Sequence, residues 1–136
     1  MTKKSSTPQP LLDTQCWLWM HAEPERFSAT VRSALEDTGN QLFLSAASAW
    51  EIAIKYALGK LPLPLPPAEY LPSRMERADT LSLPVTQDHA VRVAALPPHH
   101  RDPFDRMLIA QAQLEDLQIL TADPQFRPYD VEILEV

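Results

Sequence analysis

Short apolar runs that alternate with helix-periodic stretches constrain this chain most, because strands separated by helices pair in parallel and are covered on both faces. Leu11 and Leu12 run into Asp13, Leu42 to Leu44 form a second run, and Leu81 to Val85, Gln118 to Leu120 and Val131 to Val136 supply three more. Between them the pattern predicts a short helix around Trp17, Leu18 and Trp19, and a helix from Ser28 to Thr38 ending at Gly39. A third helix is expected from Ser48 to Leu58, closed by Gly59, with Trp50, Ile54 and Ala57 at helical spacing. Two more are expected over Thr86 to Leu96 and Phe104 to Asp116. The segment from Gly59 to Pro72 holds five of the 14 prolines and is expected to run extended until a helix restarts at Pro67 and Ala68. The expected class is α/β, with a mostly parallel central sheet.

At 136 residues and 45% hydrophobic, the chain has the size and apolar content of one domain with one core. Residues 1–8 are polar and are expected to form a disordered or loosely ordered tail, leaving 9–136 as the domain. A formal charge of −6 argues against nucleic-acid binding through a broad positive potential. Metal ions change that count: two divalent cations would bring −6 to −2 and make the acids that hold them a docking place for phosphate. Cys16 is the single cysteine, which rules out an internal disulfide, and is read as a small buried apolar residue. Lys3 and Lys4 do not open a signal peptide, since Pro8, Pro10 and Asp13 interrupt what would be its apolar core. No run is long and apolar enough to span a bilayer, so a cytoplasmic protein without membrane contact is expected.

Asp13, Glu51, Asp105 and Asp123 each lie where a strand is expected to hand over to a helix. In a parallel sheet such handovers share the carboxyl edge, so acids scattered through the sequence can converge. Converging carboxylates repel unless a hard cation neutralises them, and oxygen-rich acidic sites suit Mg2+ or Mn2+. That chemistry fits phosphodiester cleavage. Each acid also reads as a helix cap. Ser48-Ala-Trp-Glu51 has the form of a capping box, Asp102-Pro-Phe-Asp105 and Asp123-Pro124 place a cap before a proline, and Asp13 can cap the helix after the first strand. Capping accounts for each acid singly but not for the use of a carboxylate every time, where Ser, Thr or Asn would serve. The two readings are compatible, because a helix N-terminus favours the ionised carboxylate that ligates a metal.

Four stretches taken together carry a family resemblance: Leu11-Leu-Asp-Thr14; Ser45-Ala-Ala-Ser-Ala-Trp-Glu-Ile-Ala-Ile-Lys55 with Gly59-Lys-Leu-Pro62; His100-Arg-Asp-Pro-Phe-Asp-Arg-Met-Leu-Ile-Ala-Gln-Ala112; and Leu120-Thr-Ala-Asp123 with Phe126 and Tyr129. In that order and spacing the chain resembles PIN-domain proteins of the VapC-like toxin group over nearly all of its length after residue 8. The resemblance implies a PIN-like α/β/α sandwich and a Mg2+- or Mn2+-dependent endoribonuclease, the toxin of a type II toxin–antitoxin pair. It implies RNA as substrate, a cognate antitoxin as partner and a homodimer. It places catalytic and metal-holding roles on Asp13, Glu51, Asp105 and Asp123, and matches Thr121 to a hydroxyl residue two positions before the fourth acid. Gln15 departs from the pattern, since many relatives carry histidine there.

The mechanism that the resemblance implies is metal-assisted hydrolysis of RNA by one ion held chiefly by Asp13 and Asp105 or by two, the second shared with Glu51 or Asp123. Thr121 is expected to orient a coordinating carboxylate, and Asp102 to cap its helix while supporting the site from behind. Lys55, one turn after Glu51, is expected to pair with that acid or to reach the substrate phosphate, and Arg101 and Arg106 are candidate RNA contacts. His99 and His100 read as surface residues of a proline-bounded loop. Trp17, Trp19 and Trp50 could stack on bases, but core packing or contact with a partner chain is the better reading. The alternative function is a catalytically inactive PIN-like module that binds protein alone. A Mg2+-dependent phosphatase is disfavoured, because Asp13-Thr-Gln15 lacks the second acid of an Asp-x-Asp motif.

Overall fold

Leu11 and Leu12 are both fully buried, yet they face different cores. In the computed structural model, which describes residues 9–136, they belong to strand β1 (Pro10–Leu12). Leu11 joins Leu108, Ile109, Ile119 and Phe126, whereas Leu12 joins Trp17, Leu44, Ile52 and Leu120. Ile119 and Leu120 divide in the same way on β4 (Gln118–Thr121). Apolar side chains pointing alternately to both sides are what a strand covered on both faces requires. With β2 (Leu42–Ser45), β3 (Thr80–Leu83) and β5 (Ile133–Glu135) these strands form a sheet of order β3-β2-β1-β4-β5, paired in parallel throughout. The tail expected over residues 1–8 lies outside the described residues.

Helices α1 (Thr14–Ala22), α2 (Ala29–Glu36), α3 (Ala46–Ala57) and α4 (Pro67–Arg77) contribute Trp17, Val31, Ile52 and Tyr70 to the core that holds Leu12. Val93 of α5 (Gln87–Val93) and Leu108 and Ile109 of α6 (Pro103–Glu115) pack in the core that holds Leu11. The α/β/α layering and parallel sheet expected from the sequence are thus present. Side-chain caps set most helix starts: Ser28 takes the Val31 amide at 3.3 Å and Thr86 the His89 amide at 3.2 Å. Gly59, at φ 73°, closes α3 in the left-handed conformation that glycine adopts without a Cβ penalty.

Two local expectations are corrected. Helix α3 begins before Ser48, because Ser45 at the end of β2 already caps it by accepting the Ala47 amide at 3.0 Å. Ser48 and Glu51 therefore lie inside the helix, and the capping box does not form. The last strand is shorter than Val131 to Val136, since Val131 is held in a turn by its amide bond to the Tyr129 carbonyl at 2.9 Å. The tryptophans also separate. Trp17 is fully buried, Trp19 is half-buried against Phe27, and Trp50 is 64% exposed, so of the two expected roles, core packing or contact with a partner chain, core packing does not hold for Trp50. Leu61 and Leu63 of the proline-rich segment pack on the core.

The chain runs outward from central β1 to β2 and β3, then returns to the other side of β1 as β4. The strand connections therefore diverge between β1 and β4, and at the carboxyl ends of those strands they leave a crevice. Among the described residues no helix is long and apolar enough to cross a membrane.

Candidate metal centre

Asp13 and Asp123 leave the neighbouring strands β1 and β4 at that crevice. Glu51 and Asp105 reach it from helices, Glu51 from the second turn of α3 and Asp105 from the first turn of α6. Neither follows a strand directly, which corrects the sequence expectation, yet the expected convergence is present. All four acids and Asp102 line one cavity of about 520 Å³, with Leu18, Trp19, Ile52 and Leu61 as its apolar wall and Lys55 and Lys60 among its basic residues.

Each acid is tethered from behind. Asp13 accepts the Cys16 amide at 2.7 Å on one oxygen and the Thr121 hydroxyl at 2.5 Å on the other. Thr121 in turn accepts the Asp123 amide at 3.0 Å, so one hydroxyl links both strand ends. Glu51 accepts the Thr14 hydroxyl at 2.7 Å on Oε1 and the Lys55 ammonium at 2.6 Å on Oε2, and Thr14 Oγ1 lies 2.9 Å from the Ser48 hydroxyl. Asp102 caps α6 by accepting the Phe104 and Asp105 amides at 2.8 and 3.2 Å. Asp123 caps a turn of 3-10 helix, Pro124–Phe126, through the Gln125 amide at 2.9 Å. His100 Nε2 stands 2.9 Å from Asp105 Oδ2 and 3.2 Å from Asp123 Oδ2.

These tethers do not offset the charge completely. Burial, and then the carboxylates of Asp102, Asp13, Glu51 and Asp123, push the Asp105 carboxyl up to about 8. Burial also raises Asp13, against the hydrogen bonds from Thr121 and Cys16. Lys55 is raised in turn, chiefly by its hydrogen bond to Glu51. A divalent cation would reverse both carboxylate shifts, and an all-oxygen acidic donor set suits Mg2+ or Mn2+ rather than a soft metal. The residues present therefore fit such an ion. Among the described residues, His100, Asp105 and Asp123 are a group whose candidate ligand atoms lie within 4.8 Å of one another.

Among the auxiliary residues, Thr121 bonds Asp13, Asp102 caps α6 and Lys55 pairs with Glu51. Arg101 is exposed beside the site. Arg106 is engaged within the protein: its guanidinium donates to the carbonyls of Pro97 at 2.9 Å and Val93 at 3.0 Å and to the Tyr129 hydroxyl at 3.2 Å. His99 packs edge-on against Tyr129, with ring centroids 5.1 Å apart. His100 is 7% exposed and central to the site, which overturns its reading as a surface residue. The sequence reading also missed Thr14 and Ser48. Thr14, directly after Asp13, carried a readable signal, because a hydroxyl on the first helical residue beside a buried acid has little to bond except another site group.

Comparison with known proteins places this geometry. The PIN domain model matches residues 11–132. Ribonuclease VapC16 of Mycobacterium tuberculosis is 56% identical over 59 residues, which span 43% of this chain and 40% of that relative. Ribonuclease VapC22 of the same organism is 29% identical over 120 residues, covering 88% of this chain and 90% of the relative. A toxin–antitoxin complex from Klebsiella pneumoniae contains a chain similar in fold, with a TM-score of 0.63 at 19% identity, covering 94% of this chain and 100% of that one.

The raised Asp105 group has a measurable consequence. Its folded value of about 8 lies above its ordinary 3.8, so between those values the folded state keeps a proton that the unfolded chain has released. The stability it contributes is full below about pH 4 and is lost as pH rises through about 8. Thermal melts in EDTA should therefore show Asp105→Asn gaining on the native protein as pH rises from 5 to 8. Parallel melting curves for the two proteins across that range would contradict the assignment.

Proposed function

The chain belongs to the PIN domain family, and from that premise we propose that it is a Mg2+- or Mn2+-dependent endoribonuclease, the toxin of a toxin–antitoxin pair acting in the cytoplasm. The observation that carries this reading is the gathering of Asp13, Glu51, Asp102, Asp105 and Asp123 around one cavity at the sheet's crevice. A non-catalytic module has no use for like charges kept together at a cost in stability. The names of the two ribonuclease relatives support the same activity.

Asp13, Asp105, Glu51 and Asp123 would hold the ion or ions. When bound, a divalent ion supplies Lewis acidity and the positive charge that admits a phosphodiester to an acidic cavity. The protein's part is orientation. Thr121 turns Asp13 and stabilises its ionised form, while Thr14 and Lys55 fix both oxygens of Glu51. Lys60 and Arg101, and Lys55 when RNA phosphate competes with Glu51 for it, are the candidate contacts to the RNA backbone, a reading supported by the two lysines in the cavity lining and by the exposure of Arg101, while Leu18, Trp19 and Leu61 form the apolar wall.

Two protein partners accompany this reading. A cognate antitoxin is supported by the Klebsiella complex and by chemistry: a basic side chain suits the carboxylates, and the neighbouring Trp19 and Leu61 offer apolar contact. The second partner of this reading is another copy of the chain, supported by the apolar groove of about 590 Å³ lined by Ala47, Trp50, Val85, Val93, Phe104 and Met107.

Purified protein should cleave RNA with Mg2+ or Mn2+ and lose that activity in EDTA, and Asp13→Asn and Asp105→Asn should reduce cleavage by orders of magnitude while remaining folded. Undiminished cleavage in excess EDTA would refute the metal reading, and native-like cleavage by a variant would remove that residue from the site. Co-expression with the neighbouring reading frame should give a tight complex, suppress cleavage and relieve toxicity, and a neighbour that neither binds nor protects rejects the antitoxin pairing. Trp50→Glu should shift a dimer to monomer mass in light scattering, whereas an unchanged mass moves the interface elsewhere.

A further inference from the structure

The role of His100 is the feature of the site that neither the family pattern nor the acids explain. The ring is 93% buried and wedged edge-on against Phe126, with centroids 5.8 Å apart. Its own amide donates to the Tyr129 hydroxyl at 2.8 Å, so backbone and ring are both held. Nδ1 accepts the Asp102 amide at 3.2 Å. A ring nitrogen accepts an amide N–H only through its lone pair, so Nδ1 carries no proton and the ring hydrogen resides on Nε2. That hydrogen lies between Asp105 Oδ2 at 2.9 Å and Asp123 Oδ2 at 3.2 Å.

Resting on the metal reading of the cavity, we propose that His100 is a positioning residue: its Nε2–H clamps Asp105 and Asp123 in the geometry that receives the ion, and it is not itself a ligand. The compact group of one histidine and two carboxylates invites the opposite assignment. A ring nitrogen that carries a proton has no lone pair for a metal, however, and the Asp102 amide holds the other nitrogen. The clamp also selects oxygens. Both oxygens of Asp123 receive donors, Oδ1 from Gln125 and Oδ2 from His100. Asp105 Oδ2 faces His100, and its Oδ1 has no hydrogen-bond donor among the described residues, which leaves that oxygen presented for metal. The cap of α6 thus does two things: the Asp102 carboxylate starts the helix, and its amide fixes the histidine tautomer that orients Asp105 one turn on.

Mn2+ titration followed by electron paramagnetic resonance, on the full chain and two variants, tests this. His100→Ala removes the donor and should weaken Mn2+ binding about 10- to 100-fold, the usual consequence of losing a group that orients a ligand. His100→Gln places an amide N–H near the position of Nε2 and should restore most of the affinity. Pulsed measurements on the Mn2+-loaded native protein should show no directly coordinated 14N. Direct 14N coordination, native affinity in His100→Ala, or failure of His100→Gln to exceed His100→Ala each overturns the proposal. If His100→Ala is unfolded by circular dichroism, the 14N measurement and the comparison of His100→Gln with the native protein decide. Native protein that binds no Mn2+ overturns the metal reading and this proposal with it, whereas native binding with an indifferent His100 overturns the clamp alone.

Discussion

Mutual repulsion among five carboxylates in one cavity is the constraint to which the surrounding structure answers. Two unit charges about 4 Å apart repel by roughly 4 kcal/mol at the effective dielectric of a partly buried site. A single cap contributes roughly 0.5–2 kcal/mol, and a hydrogen bond to a charged group about 1.5–3. Tethers of that size can orient the acids but cannot neutralise them, and burial, with the neighbouring carboxylates adding to it, still drives Asp105 up to about 8. Only a proton or a cation closes the difference. The cavity therefore holds its acids in position for a charge that arrives from outside.

The tethers differ with position in a way that electrostatics explains. Asp13, Asp102 and Asp123 sit at the start of helical turns, where amides and the positive end of the helix dipole face them. Glu51 lies in the second turn of α3, beyond the reach of that effect, and receives a hydroxyl from Thr14 and an ammonium from Lys55 instead. Capping and metal binding are thus two uses of the same carboxylates. The capping oxygen of Asp13 is Oδ1, for instance, while Thr121 orients Oδ2.

Much of the sheet was legible because its code is local. A run such as Leu11-Leu12 reads as a strand buried on both sides, and the strands and helices of the described residues occur in the expected order. Boundaries failed where two residues could do the same job: Ser45 and Ser48 both fit a cap, and the one at the end of β2 prevailed. The acids were legible as a set because parallel topology brings strand ends together, although Glu51 and Asp105 arrived from helices. Exposure was less legible. Trp50 recurs at helical spacing with Ile54 and Ala57, yet its face of α3 borders the groove beside Phe104 rather than the core.

His100 was illegible for a different reason. Nothing near it in sequence announces burial, since it stands after prolines, between a histidine and an arginine. Its environment comes from afar: Tyr129 takes its amide, Asp123 shares its ring, and Phe126 packs on that ring. Arg106 completes the enclosure by donating to the carbonyls of Val93 at the end of α5 and of Leu96 and Pro97 in the following loop. A residue that the sequence offered to RNA is thus used to hold the loop that carries His100 and Asp102. Arginine suits that task because its planar fork serves several acceptors at once, which a lysine ammonium on a flexible stem does with less fixed geometry. The precision of the acidic site therefore depends on a basic side chain outside it, and the order of dependence runs from Arg106 and Tyr129 to the loop, from the loop to His100, and from His100 to Asp105 and Asp123.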